Sequence, residues 1–162
     1  MTTQNTTSQN STNRFQQLLI GGNDSWAPAL LRVPVGLVLA AHGAQKLFGW
    51  FGGYGLEATG QWMASIGLEP GLLMATLAGS AEFFGGIALM IGALTRPAAL
   101  AAAFTMLIAM TVVHAANGFF MSSNGIEYSL ILLFASLSLA FSGAGKASVD
   151  SFLRGRELRH DS

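Results

Sequence analysis

The sequence predicts an all-α integral membrane protein: a bundle of four antiparallel transmembrane helices with both termini in the cytoplasm. Three observations lead to this fold class. Of the 162 residues, 51% are hydrophobic and only 10% are charged, whereas a soluble domain carries about a quarter charged residues. Four segments are apolar over roughly the 20 residues that a helix needs to cross a bilayer core. Lysine and arginine outside these segments fall on one side of them.

The predicted spans are bounded by residues that commonly begin or end helices. Pro70 precedes the second span and Pro97 begins the third, positions where a missing N–H costs little. The connection Arg96-Pro97 is very short, so the second and third spans should be antiparallel neighbours. The fourth span is the shortest, although Gly125–Ser142 would reach the lower limit for crossing. The four spans run about Trp26–Leu47, Gly71–Leu94, Pro97–Ala116 and Ile126–Phe141.

Orientation follows from the positively charged residues. The connections Phe48–Glu69 and Asn117–Gly125 contain neither lysine nor arginine. Cytoplasmic loops carry an excess of these residues, which places both termini inside. The predicted organisation is a disordered polar tail over residues 1–25, a membrane domain over residues 26–142 and a basic cytoplasmic tail over residues 143–162. The basic residues on the cytoplasmic side are Arg14, Arg96, Lys146, Arg154, Arg156 and Arg159.

The first connection is rich in aromatic residues of the kind found at membrane–water interfaces. Leu56, Met63 and Ile66 could share one face of a short helix lying on the membrane, and an aromatic loop is the alternative. Two glycine pairs, Gly79 with Gly86 and Gly85 with Gly92, have the helical spacing that allows close helix approach in lipid. The aromatic residues of the connection are Trp50, Phe51, Tyr54 and Trp62.

Six ionisable residues lie within or at the ends of the spans, where charge is costly and marks functional candidates. Five of them fall between the middle and the outer surface, and Arg32 alone belongs to the inner half. His42 and Lys46 share one helix face because they are four residues apart. Glu82, near the middle of its span, requires a partner or a proton. We therefore predict an acid–base cluster that opens toward the outer face. The six residues are Arg32, His42, Lys46, Glu82, His114 and Glu127.

Structural readings of these residues remain open. Arg32 and Lys46 could extend to the headgroups of the two surfaces. His42 could be a satisfied interior histidine, and His114 could tie helix ends together. Glu127 could be an acidic residue at a helix N-terminus among the headgroups.

The order of several short motifs resembles the DoxX family over about Leu31–Asp150. The resemblance implies a small bacterial inner-membrane protein of four helices. Members are commonly described as oxidoreductases, mostly without a defined reaction, and related subunits belong to a thiosulfate:quinone oxidoreductase and to a terminal quinol oxidase. Another relative is linked to a membrane complex that handles oxidative and thiol stress. The motifs are His-Gly-x-x-Lys from His42, Pro70-Gly71, Glu-x-x-Gly-Gly from Glu82, His114 and Glu127-Tyr128.

The leading hypothesis is a redox-membrane subunit that binds a quinone. Histidine can hydrogen-bond a quinone carbonyl and exchange protons near neutral pH, and a glutamate can relay the proton. Lys46 could stabilise a reduced, anionic quinone. A partner protein would supply electrons, since the chain has no cysteine and no flavin or nicotinamide fingerprint. The candidate catalytic residues are Glu82, His42, His114 and Glu127, and the candidate binding residues are Lys46, Tyr128 and Arg32.

Other functions compete with this hypothesis. A non-catalytic scaffold for partner enzymes and a small transporter both fit a membrane bundle with paired charges. We do not expect haem, although His42 and His114 could in principle be axial ligands. No metal-ligand run, phosphate loop or nucleophile elbow is present, and zero net charge argues against nucleic acid. The expected partners are membrane lipid, quinone, a redox protein and a further copy of the chain.

Overall fold

The computed structural model describes residues 25–160, with side chains described as far as residue 156. Over these residues the fold is helical and contains no strand, as the sequence predicts. Apart from Ser25, the predicted N-terminal tail lies outside the described residues. The α-helices in this part of the chain are α1 (Ala27–Phe48), α2 (Gly55–Ser65), α3 (Gly71–Ile91), α4 (Thr95–Ile108), α5 (Glu127–Ser142) and α6 (Val149–His160).

Within residues 25–160, three helical stretches are long and apolar enough to cross a membrane: α1, α3 and Thr95–Asn117. In the third, α4 continues through a π-helical turn (Ala109–His114) and a 3-10 turn (Ala115–Asn117). The fourth predicted span is the apolar helix α5, which has 16 residues. This length gives about 24 Å of helix against a hydrocarbon core of about 30 Å. Crossing by α5 therefore stays a prediction.

The long helices pack in a chain of neighbours, α1 on α3, α3 on α4 and α4 on α5. The core between them is built from aliphatic side chains such as Leu39, Leu89 and Leu139, all fully buried. Large apolar side chains also cover the outside, where Leu30, Phe104 and Phe134 are more than half exposed. Apolar residues both inside and outside are typical of helices whose solvent is lipid.

Helices α1 and α3 meet along a glycine seam, formed by Gly36 and Gly43 on α1 and by Gly79 and Gly86 on α3. A Cβ atom added at Gly86 would lie 2.5 Å from the Ala40 nitrogen and 2.6 Å from the Gly36 oxygen. A Cβ at Gly43 would meet the backbone of α3 in the same way. The absence of side chains therefore lets the two backbones touch.

The second predicted glycine pair, Gly85 and Gly92, has different neighbours from the glycines of the seam. Among the described residues, a Cβ at Gly85 would meet the Ala98 oxygen alone, at 3.7 Å, which is ordinary contact. Gly92 follows the last residue of α3 with φ 67°, a left-handed conformation that suits glycine at a helix C-terminus.

The aromatic connection contains a short helix, α2, as one of the two readings predicts, and its position on the membrane stays a prediction. Its buried residues are Thr59, Gly60 and Met63, and its main neighbour is α3. Leu56 and Ile66, the other residues of the predicted apolar face, are half-buried. The apolar face of α2 thus packs on protein, while Trp62 remains 44% exposed on its surface.

The two adjacent glycines of α3 provide a matched test of the seam. We expect Gly86→Ala to destabilise the protein by about 1–3 kcal/mol, because the added methyl group forces α1 away from α3. Gly85→Ala should be neutral or stabilise by up to about 1 kcal/mol, since alanine is the better helix former and has room. Reversible unfolding in detergent, followed by circular dichroism, measures both. Equal effects of the two variants would contradict the seam.

Candidate functional site: a lysine–glutamate pair beside an open cleft

Lys46 and Glu82 form an ion pair between α1 and α3. The Lys46 Nζ donates to the Glu82 Oε2 at 2.6 Å. The Glu82 side chain is 3% exposed and lies near the middle of α3, whereas the Lys46 side chain, in the last turn of α1, is 24% exposed. The buried carboxylate is therefore compensated by a cation that keeps one side open.

The glycine seam makes this pair geometrically possible. A Cβ at Gly79 would lie 3.4 Å from the Lys46 Cβ and 2.8 Å from the Leu47 Cδ2. Gly79 is one helical turn before Glu82, so its bare backbone leaves a passage along which the aliphatic part of Lys46 reaches the carboxylate.

His42 and Tyr128 lie together near the ion pair. Their ring centroids are 5.8 Å apart, with the planes tilted by 52°. His42 is on α1, one turn before Lys46, and Tyr128 is in the first turn of α5. Tyr128 also lies within electrostatic range of the Glu82 carboxylate. Two groups able to exchange protons thus accompany the lysine and the glutamate.

An open cleft of about 540 Å³ adjoins Lys46. It lies between the C-terminal end of α1, the 3-10 turn Trp50–Gly52 and α2. The Gln45 Nε2 donates to the Phe51 oxygen at 3.3 Å and so ties α1 to this turn. The volume is within the range of small-molecule sites. The cleft is lined by Gln45, Lys46, Gly52, Gly53, Tyr54, Ala58, Thr59 and Trp62.

The chemistry of the lining is mixed. Tyr54 and Trp62 offer flat aromatic surfaces, and Gln45 and Thr59 offer polar groups. Lys46 is the cationic residue of the wall, and Glu82 lies behind it rather than in the lining. This arrangement suits a flat, mostly apolar ligand with an oxygen that accepts from an ammonium group.

His114 and Glu127 contact the loop between α4 and α5. The His114 Nδ1 lies 2.8 Å from the Asn124 oxygen, which also accepts from the Asn117 Nδ2 at 3.2 Å. The Glu127 Oε2 accepts from the Met121 backbone N–H at 2.8 Å. Among the described residues, neither side chain hydrogen-bonds to Lys46 or Glu82. The hydrogen bonds of His114 and Glu127 therefore hold the loop over residues 118–124 and do not extend the ion pair.

Arg32 lies fourteen residues before Lys46, about 21 Å along α1. It is 2% exposed, and its guanidinium donates to backbone carbonyls instead of extending to headgroups. The acceptors are at the end of α3 and in the segment before α6: Leu89 at 3.1 Å, Ala144 at 3.0 Å, Met90 and Ala147. Arg32 therefore joins helix ends near the end of α1 that lies opposite the cleft.

The DoxX family model matches residues 27–115, more than half of the chain. This chain belongs to the DoxX family. The matched region includes His42, Lys46, Glu82 and His114 and ends before Glu127.

Two relatives resemble this DoxX chain over most of their lengths. One, from Bacillus subtilis (strain 168), is named "Putative oxidoreductase CatD"; it is 31% identical over 124 residues, 76% of this chain and 84% of the relative. An uncharacterised protein of Haemophilus influenzae is 34% identical over 126 residues, 76% of this chain and 87% of the relative. No solved structure matches.

Sequence reasoning missed two parts of this DoxX structure. Gln45 and Thr59 line the cleft, although only the neighbouring aromatics are conspicuous in the sequence. Thr59 lies four residues before Met63 on the inner face of α2, and a polar residue on an apolar face is the signal that could have found it. Asp150, which caps α4 from α6, carries no such local signal.

Removing the charge of one or of both partners tests the ion pair. We expect Lys46→Met to cost about 3 kcal/mol, because it leaves Glu82 buried without a partner. The double variant Lys46→Met/Glu82→Gln should recover most of this loss, since no charge remains unpaired. Reversible unfolding of the wild type, both single variants and the double variant gives the coupling free energy. Additive effects of the two substitutions would contradict an ion pair.

Proposed function

We propose that this protein is a subunit of a redox system in the bacterial inner membrane and binds a quinone in the cleft beside Lys46. The observation that carries the proposal is the Lys46–Glu82 pair, 2.6 Å long, with its lysine in the wall of an open, aromatic-lined cleft. Ionisable residues inside apolar helices mark functional sites by default. The oxidoreductase name of the Bacillus subtilis relative supports the reaction class.

We propose a four-span topology in which α1, α3, the stretch from α4 and the shorter α5 form an antiparallel bundle. Both termini then lie in the cytoplasm, because lysine and arginine outside the spans are confined to that side. The cleft and the Lys46–Glu82 pair belong to the outer half of this bundle. A quinone would reach them from the bilayer in which it is dissolved.

The proposed reaction is the reduction of a quinone to a quinol, which requires two electrons and two protons. Lys46 Nζ would donate to a quinone carbonyl oxygen and counter the negative charge that reduction brings. His42 and Tyr128 would pass protons toward the reduced oxygens, and Glu82 would hold the lysine in place. The electrons would come from a reduced partner protein, because the chain has no cysteine and no flavin or nicotinamide fingerprint.

The remaining candidates have supporting parts in this proposal. His114 and Glu127 bond to the loop between α4 and α5, so they would position that loop. Arg32 bonds to helix ends about 21 Å from Lys46. We therefore assign it to the stability of the bundle and not to the quinone.

The experiment is native mass spectrometry of gently solubilised protein after addition of a quinone. We expect bound quinone in the wild type and at least about tenfold less in Lys46→Met/Glu82→Gln, since a hydrogen bond from a charged donor is lost. This double variant keeps the site electrically balanced, so its fold should survive. Glu57→Gln, which alters an exposed glutamate of α2 outside the cleft lining, is the matched control and should bind as the wild type does. Equal quinone in all three proteins, or none in the wild type, would contradict the proposal.

A further inference from the structure

The segment before α6 and the first turn of α6 are fixed to the ends of the long helices. Both Asp150 carboxylate oxygens accept backbone N–H groups at the start of α4, from Leu94 at 2.8 Å and Thr95 at 2.9 Å. The Asp150 N–H donates to the Gly92 oxygen at 2.9 Å. Arg32 holds the same segment through the oxygens of Ala144 and Ala147. Helix α6 therefore begins where α3 ends and α4 starts.

The opposite face of α6 is exposed within the described part of the chain. Val149, Phe152 and Leu153 are 39%, 64% and 43% exposed. With the exposed Arg156 they occupy positions i, i+3, i+4 and i+7, which lie on one side of a helix. The Arg156 guanidinium lies 5.8 Å from the centre of the Phe152 ring. This face, named here the α6 outer face, combines an apolar row with a cation at its end.

The exposed charge around this face is positive as far as side chains are described. Lys146, just before α6, and Arg156 are both exposed. Asp150 is 1% exposed, and its carboxylate is occupied by the N–H groups of α4. The Asp150 carboxylate therefore faces the interior and adds no exposed negative charge to this face.

We propose that α6 lies in the plane of the membrane surface and binds anionic phospholipid headgroups with its outer face. Because α6 starts at the level where two apolar helices end, the outer face lies at the boundary between headgroups and acyl chains. Val149, Phe152 and Leu153 enter that boundary, because their side chains are apolar and exposed. Lys146 and Arg156 contact the phosphates, and each cation near an anionic surface strengthens association about fivefold. Lipid binding by α6 does not depend on quinone binding in the cleft.

A single reporter on the outer face tests the proposal in the full chain. The protein has no cysteine, so Phe152→Cys can be labelled uniquely with the fluorophore NBD, whose bulk replaces the phenyl ring. The labelled protein is reconstituted in nanodiscs of phosphatidylcholine, alone or mixed with phosphatidylglycerol, that carry an acyl-chain quencher. Glu69→Cys labelled in the same way is the matched control, since Glu69 is exposed and precedes α3 at its other end.

We expect NBD at residue 152 to emit at shorter wavelength and to be quenched more strongly than NBD at residue 69. Phosphatidylglycerol should increase the quenching, and adding Arg156→Gln should lower the anionic-lipid preference about fivefold. Quenching at residue 152 no stronger than at the control would overturn the proposal and leave the face to a protein partner. Strong quenching without any dependence on phosphatidylglycerol would overturn the anionic headgroup as the ligand.

Discussion

The close approach of α1 and α3 is the constraint on which the rest of the structure depends. Four glycines bring the backbones so near that a methyl group on Gly86 would lie 2.5 Å from the backbone of α1. In lipid the hydrophobic effect favours helix–helix contacts no more than helix–lipid contacts. Close packing therefore has to supply the attraction between the helices. The same seam leaves the passage beside Gly79 through which Lys46 reaches Glu82. The glycine seam therefore determines both the contact between α1 and α3 and the geometry of the candidate site.

Each end of α1 carries a cation, and the two cations have different partners. Arg32 is buried, and its guanidinium is surrounded by carbonyl groups of helix ends and of the segment before α6. Its planar set of donors suits several fixed acceptors at once. Lys46 has one carboxylate partner and a side chain that is 24% exposed at the cleft. Because an ammonium group has three donors, Lys46 can hold Glu82 and still donate to a ligand oxygen.

The helices could be predicted from sequence, because apolar runs are local signals. Intramembrane charge is a local signal too, and it makes Lys46 and Glu82 candidate site residues. The partners of Arg32 could not be predicted, since Leu89, Ala144 and Ala147 contribute backbone carbonyls that any residue carries. His114 and Glu127 were expected to join the cluster from their depth alone. Depth does not fix direction, and the turn of the α4–α5 loop offers both side chains nearer backbone partners.

The most direct test of the central claim, that Lys46 presents its charge to a quinone, is infrared spectroscopy of a carbonyl-labelled quinone added to the purified protein. Hydrogen bonding to an ammonium group lowers the carbonyl stretching frequency. We expect a band shifted to lower frequency in the wild type, relative to the same quinone in lipid, and loss of that shift in Lys46→Met/Glu82→Gln. A carbonyl band identical to that of quinone in lipid, or a shift that persists in the double variant, would contradict this claim.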